Sequence, residues 1–237
     1  MVKAFFLFGK EISLYYTFWL IGAITVLAVG YFTGKKRGFN FAKSILYIVC
    51  AIILGYLLLW VTSWVFGGGK VNGLNFVRIV TFLPVPIWLL TQLFKDDFAS
   101  VTDFIAPLVA IFHGVTHIGC IFPGCCHGYP AEWGIYSNEA GAVCFPNQLM
   151  EAFSSILIGI LLLNMLIKGY QQGKIYAWYL VLFGSTRFCW EFLRDNEKIW
   201  LGISELAFHA ITACVFGSIA LVVLKRLTKE SCEYEKN

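Results

Sequence analysis

The chain has 237 residues, of which 59% are hydrophobic, 17% aromatic and only 14% charged, and its mean hydropathy is +0.73. A soluble domain carries about 25% charged and about 45–50% apolar residues, so a water-soluble globule of this length could not bury so much apolar surface. The same numbers exclude a disordered chain, a coiled coil and a nucleic-acid binder. What remains is an all-α polytopic membrane protein: a spanning helix takes about 20 residues, so about seven spans and their short loops make 1–237 a single membrane domain.

In chain order the predicted spans are Leu14–Phe32, Ser44–Phe66, Leu74–Phe94, Val101–Val115, Gln148–Ile167, Ile175–Leu193 and Ile203–Leu224. The fourth is short and carries Asp103 near its start. These runs are too long for strands and lack the alternation of a membrane barrel. Backbone satisfaction in lipid then requires helices. Lysines and arginines in short loops set the orientation. Lys35, Lys36, Arg37, Lys43, Lys95, Lys168, Lys174, Lys225, Arg226 and Lys229 fall on one side if the N-terminus is outside and the C-terminus inside. Lys3, Lys10, Lys70 and Lys198 fall on the other. The basic cluster follows the first apolar run, which argues against a cleaved signal peptide.

The triple glycine Gly67–Gly69 is expected in an outer loop. The longest connection, 116–147, is also outer. Long loops in compact bundles are functional or disordered; Phe122, Tyr129, Trp133 and Tyr136 argue for a folded cap. The cap holds Cys120, Cys125, Cys126 and Cys144 beside His117 and His127. A disulfide suits an extracytoplasmic loop, although the partners are not deducible. Zinc is a second reading, weakened because C-x4-C-C-H lacks the paired C-x2-C spacing. Free packed thiols are the third. Thiol redox catalysis lacks a resolving C-x-x-C. Structural cysteines, no metal and no cofactor are the expectation.

Ionisable residues within spans are costly and mark functional paths. The topology puts them in one layer: Arg78 in span three, His113 and His117 at the end of span four, Glu151 at the start of span five, and Arg187, Glu191 and Arg194 at the end of span six. The last three are spaced i, i+4, i+7 and share a helix face. The plainer alternative is snorkelling arginines and one structural ion pair. Arginines facing an interior cavity suit a phosphate, because guanidinium binds it bidentately and keeps its charge. In the outer leaflet a phosphate belongs to a lipid headgroup.

Three stretches carry a family resemblance. Asp103–Gly128, DFIAPLVAIFHGVTHIGCIFPGCCHG, resembles the signature of prolipoprotein diacylglyceryl transferases, D-x-x-A-P followed by the commoner G-R-x-G-N-F or by G-R-x-G-C-F-x-x-G-C-C-x-G. Phe145–Ala152, FPNQLMEA, resembles their H-P-x-Q-L-Y-E-A. Phe183–Arg194, FGSTRFCWEFLR, resembles their Y-G-x-x-R-F-x-x-E-F-x-R. The three occur in the family's order.

The resemblance implies a bacterial plasma-membrane enzyme with its site toward the outer face. Its partners would be phosphatidylglycerol, the signal peptide of preprolipoproteins and membrane lipid. The diacylglyceryl group passes to the lipobox cysteine thiol, a thioether forms and glycerol 1-phosphate leaves. Arg187, Glu191 and His117 are then the expected catalytic residues. Gln148, Glu151, Arg78, Arg194, Gly119, Gly124 and Gly128 are the expected substrate-binding ones. The chain departs from the family at His117, which stands where the G-R-x-G arginine would, and at Cys120, Phe145 and Met150. These departures keep open a member acting on another lipid, and an outer-face thiol oxidoreductase is the reading from a different class. A transporter is disfavoured because no two matching halves with broken helices are visible.

Overall fold

The structure is a computed structural model that describes residues 4–7, 10–35, 38–66, 76–170, 172–196 and 202–234. Gly67–Gly69 and the topology markers Lys3, Lys36, Arg37, Lys70 and Lys198 lie outside the described residues. A two-stranded antiparallel hairpin, β1 (Ala4–Leu7) and β2 (Lys10–Ser13), leads directly into α1 (Leu14–Gly34). α2 (Phe41–Phe66), α3 (Phe76–Phe82), α4 (Pro84–Phe94) and α5 (Phe98–Gly119) follow. A second antiparallel hairpin, β3 (Pro130–Ser137) and β4 (Ala142–Cys144), folds the long loop; α6 (Asn147–Ile167), α7 (Lys174–Glu191) and α8 (Glu205–Tyr234) complete the chain.

Among the described residues, five helices are long and apolar enough to cross a membrane, or six if α3 and α4 form one bent span. The predicted third span falls on this pair, two helices inclined by 42°. The cause is local. Pro84 and Pro86 remove backbone donors, and a proline ring clashes with the carbonyl four residues back. α7 is not among the five, because Lys174, Arg187 and Glu191 fall within its 18 residues. The predicted fourth span is longer than expected, 22 residues, and opens on Asp97, whose carboxylate accepts from the Ser100 amide at 2.6 Å.

α5 is the centre of the bundle. Across its apolar stretch 72% of residues are buried, against 28% in α1 and 24% in α2. One face packs with Val26, Tyr47, Ile48, Leu83 and Ile87 from the N-terminal helices. Another packs with Val80 of α3 and with Ile158, Leu162, Tyr179 and Phe183 from the C-terminal helices. In lipid no hydrophobic force distinguishes a neighbouring helix from an acyl chain, so close backbone approach and van der Waals packing hold helices together. Glycines provide that approach here. A Cβ on Gly114 would lie 2.8 Å from the Ala152 carbonyl oxygen of α6, and one on Gly184 would lie 2.6 Å from that of Ala210 in α8.

Asp103, the acidic residue near the start of the predicted fourth span, is fully buried. Its carboxylate accepts from the Gly173 amide at 2.8 Å and the Tyr176 amide at 2.9 Å, so it caps the first turn of α7 from a neighbouring helix. This satisfies donors that the helix itself leaves open, and a negative charge there suits the helix dipole. The register of α7 against α5, and hence the height of Arg187, is set from this end.

Candidate active site

The C-terminal ends of α5 and α7 and the N-terminal end of α6 converge. α5 brings His113 and His117, α6 brings Asn147, Gln148, Glu151 and Ser155, and α7 brings Arg187 and Glu191. Every one of these is buried. Spacing of three or four residues puts each set on one helix face.

Glu151 is the hub. Its Oε1 accepts from Asn147 Nδ2 at 2.7 Å and Arg187 Nη1 at 3.0 Å, and lies 3.4 Å from Arg194 Nη1. Its Oε2 lies 3.5 Å from His117 Nδ1. Arg187 is shared between two carboxylates, because its Nη2 also lies 2.7 Å from Glu191 Oε2. Glu191 Oε1 in turn accepts from Ser204 Oγ at 2.6 Å and from Asn196 Nδ2. Two guanidinium groups and two carboxylates thus balance among mostly buried side chains, where a lone charge would be costly. The histidines pack ring to ring with centroids 4.2 Å apart. His113 also stacks on Phe76 and meets Ser155 Oγ through Nδ1 at 2.8 Å.

The other expected residues have different settings. Arg78 does not join this cluster. Its Nε donates to His209 Nε2 at 3.3 Å, its Nη1 to the Thr62 carbonyl at 3.3 Å, and its Nη2 meets Glu205. Gln148 donates to the Cys125 carbonyl at 2.8 Å and so ties the cap loop to α6. The three glycines are in tight protein contacts. A Cβ on Gly119 would meet Phe18 at 2.9 Å, one on Gly128 would meet the Leu193 carbonyl at 2.7 Å, and Gly124 turns with φ +89° beside Asn138. Gly128 also bridges to Arg194 in the backbone.

Two cavities adjoin. A polar one of about 420 Å³ is lined by His113, His117, Cys120, Cys126, Arg194 and others. An apolar one of about 340 Å³ runs among α1, α2, α3 and α5, past Val26, Ile52, Ile79 and Leu108. Trp19 and Phe76 line both. Arg194 is the arginine on the polar wall; Arg187 lies behind it, joined through Glu151. The sequence reading did not single out Trp19, Phe76, Asn147, Ser204 or Asn196. Asn147 next to Gln148 and Glu151 was the one visible signal among them.

The long loop is folded, in agreement with its aromatic content. All of Cys120, Cys125, Cys126 and Cys144 are free thiols. Cys120, Cys125 and Cys126 are in mutual contact, and hydrogen bonds from Cys120 and Cys125, with Arg194 and His117 nearby, hold the Cys126 thiol well below its ordinary value. Folding brings one ligand atom from each of His117, Cys120 and Cys126 within 4.8 Å of one another, and the same holds for His113, His117 and Glu151.

The family profile for prolipoprotein diacylglyceryl transferase matches residues 3–226. The phosphatidylglycerol–prolipoprotein diacylglyceryl transferase 2 of Clostridium perfringens is 24% identical over 93% of this chain and 94% of its own length. The phosphatidylglycerol–prolipoprotein diacylglyceryl transferase of Clostridium tetani is 25% identical over 82% of this chain and 85% of its own. That of Chlorobaculum tepidum is 27% identical over 70% and 65%. With its three motif stretches gathered around Glu151 and its residues 3–226 matched, the chain belongs to the prolipoprotein diacylglyceryl transferase family.

Proposed function

We propose that this chain transfers the diacylglyceryl group of phosphatidylglycerol to the thiol of a lipobox cysteine in the signal peptide of a preprolipoprotein. The carbon–sulfur bond of a thioether forms, the carbon–oxygen bond to phosphate breaks, and glycerol 1-phosphate leaves. The observation that carries this reading is the junction of a polar, arginine-walled cavity with an apolar one at Trp19 and Phe76. The headgroup enters beside Arg194 and the acyl chains lie along α1, α2 and α5. Phosphate competes with Glu151 for the guanidinium groups of Arg194 and Arg187. The extra negative charge on the departing phosphate strengthens those contacts, which stabilises the transition state more than the bound lipid. Glu191 holds Arg187 in position. His117, facing Glu151 at 3.5 Å, lines the chamber in which the acceptor thiol must lose its proton. Gln148 and the glycines at 119, 124 and 128 shape the cap and do not bind lipid directly. Arg78, paired with Glu205, steadies α3 against α8.

The site lies toward the outer face of a bacterial plasma membrane, with seven spans, the N-terminus outside and the C-terminus inside. The short-loop lysines support that orientation. Reporter fusions at Lys35 should read cytoplasmic and fusions at Glu132 external; the reverse would turn the polar layer inward and end this reading. The activity test is conversion of a lipobox peptide to its thioether by the purified chain in vesicles of phosphatidylglycerol. Conversion there and none in vesicles lacking it is the expected result. No conversion by folded protein would overturn it.

A further inference from the structure

We propose that His117, Cys120 and Cys126 bind one thiophilic divalent cation of the zinc class, leaving its fourth position open to the polar cavity. The ligand atoms already lie within 4.8 Å of one another. In a tetrahedral site with metal–sulfur bonds of about 2.3 Å, ligands stand roughly 3.8 Å apart, so closure needs a shift of no more than about 1 Å. All three residues line the same cavity. His117 and Cys120 are three residues apart at the end of α5 and share a face. The chain then turns back so that Cys126, at φ +60°, presents its thiol to the same point. That return is braced by the Gly124 amide on the Cys120 carbonyl at 3.1 Å, Ser137 Oγ on the Gly124 carbonyl at 2.7 Å, and Gln148 on the Cys125 carbonyl.

Two features favour an ion over packed thiols. His117 is buried, and its Nδ1 makes no hydrogen bond. It faces Glu151 Oε2 at 3.5 Å, an oxygen that also lacks a partner. A ligating histidine characteristically gives its second ring N–H to a carboxylate, and a small closure of this contact leaves Nε2 as the metal ligand. The donor set also selects the ion, since two thiolates and an imidazole suit zinc and other soft cations and not magnesium or calcium. A divalent ion with two thiolates is neutral overall, so it adds no net charge beside Arg194. The grouping of His113, His117 and Glu151 is less suited, because Glu151 is already engaged by two arginines and Asn147.

Three protein ligands with an open position is the arrangement of a reactive site, not a closed structural one. On the transferase reading, which this part of the inference rests on, the open position takes the acceptor thiol. Coordination deprotonates a thiol: the sulfur replaces a bound water, and the proton leaves with that water as hydronium. His117 then acts through the ion and not as a free base.

The test uses the full chain, purified under reduction in detergent without chelator. Elemental analysis should find one zinc per chain. Cobalt substitution should give a thiolate-to-cobalt charge-transfer band that is lost in Cys120→Ser and Cys126→Ser and kept in Cys125→Ser and Cys214→Ser. Folded wild-type chain with no bound zinc and no cobalt band would overturn the site, as would a Cys120–Cys126 disulfide in the native membrane. Thioether formation should fall at least tenfold on chelation and return with zinc. Turnover indifferent to chelation, with the ion demonstrably removed, would overturn the role of the open position. Metal binding without thioether formation in any state would instead remove the transferase reading and leave the ion site standing.

Discussion

The two ends of this helix bundle treat charge in opposite ways. At the end where α5 and α7 begin, charges are closed pairs. Asp103 spends both oxygens on the backbone of α7, and Lys43 meets Asp96 at 2.6 Å while Tyr47 donates to the other Asp96 oxygen. At the opposite end Arg187 is divided between two carboxylates, and Glu151 Oε1 serves three donors. There the buried atoms Glu151 Oε2, Gln148 Oε1, Arg194 Nε and His117 Nδ1 make no hydrogen bond, and a polar cavity lies beside them. Buried polar groups are nearly always satisfied in folded proteins. A closed pair holds helices in register, whereas an over-shared and partly unsatisfied cluster is ready to exchange partners with a ligand.

The comparison breaks most decisively at Arg187. Arg187→Ala should lower thioether formation by about 10²–10³-fold, the scale of losing one transition-state donor. Arg187→Lys should do nearly as badly, because an ammonium keeps charge but loses the forked geometry that spans Glu151 and Glu191. Both proteins should insert and fold. Near-normal turnover by well-expressed Arg187→Ala would make that end merely structural.

Glu151→Gln comes next. The amide keeps an acceptor for Asn147 but removes the charge balancing Arg187 and Arg194. Turnover should fall about 10- to 100-fold, since charge-assisted hydrogen bonds are about twice as strong as neutral ones and both guanidiniums would shift. Measuring turnover against lipid concentration separates lost binding from lost chemistry; an unchanged profile would remove Glu151 from the site.

At the closed end the expected effects are on stability alone. Asp103→Asn should destabilise by about 1–2 kcal/mol, the scale of a helix cap and its dipole contact, while turnover per folded molecule stays at the wild-type level. Thermal unfolding in detergent and the thioether assay on the same preparation check both halves. A drop in specific activity would mean that the two ends are coupled through α7.

The smallest effect belongs to Asp96. Burial pushes its carboxyl up, but hydrogen bonds from Lys43 and Tyr47 outweigh that and hold it below the usual range. A carboxylate with a depressed folded value contributes stability that is present above its unfolded value of about 3.9 and is lost as pH falls through the folded value. The pair is partly exposed, so Lys43→Met should cost under about 1 kcal/mol and flatten the acid limb of stability against pH. An unchanged acid limb would show that Tyr47 alone sets the Asp96 value.

Much of the architecture was legible in composition and apolar runs, because lipid demands long helices with internally satisfied backbones. Predicted starts at Leu14, Gln148 and Ile175 stand within one residue of α1, α6 and α7. The gathering of Glu151, Arg187, Glu191 and Arg194 was also legible, since helix periodicity and the order of spans bring them to one end. Other features were not. Pro84 marks a bend locally, but the partner of the Val80 carbonyl it frees, the Tyr176 hydroxyl of α7, comes from the tertiary structure. Asp103 looked like a flaw in a span until α7 supplied two amides from about 70 residues away. Arg78 read in sequence as one more arginine of the polar layer, yet α8 gives it Glu205 and His209. The meeting of His117 with Cys120 and Cys126 depends on a left-handed turn at Cys126 and on the hairpin that braces it. Periodicity within one element is written in its own residues. Which charge finds which partner depends on contacts between distant segments, and only the packed tertiary structure decides that.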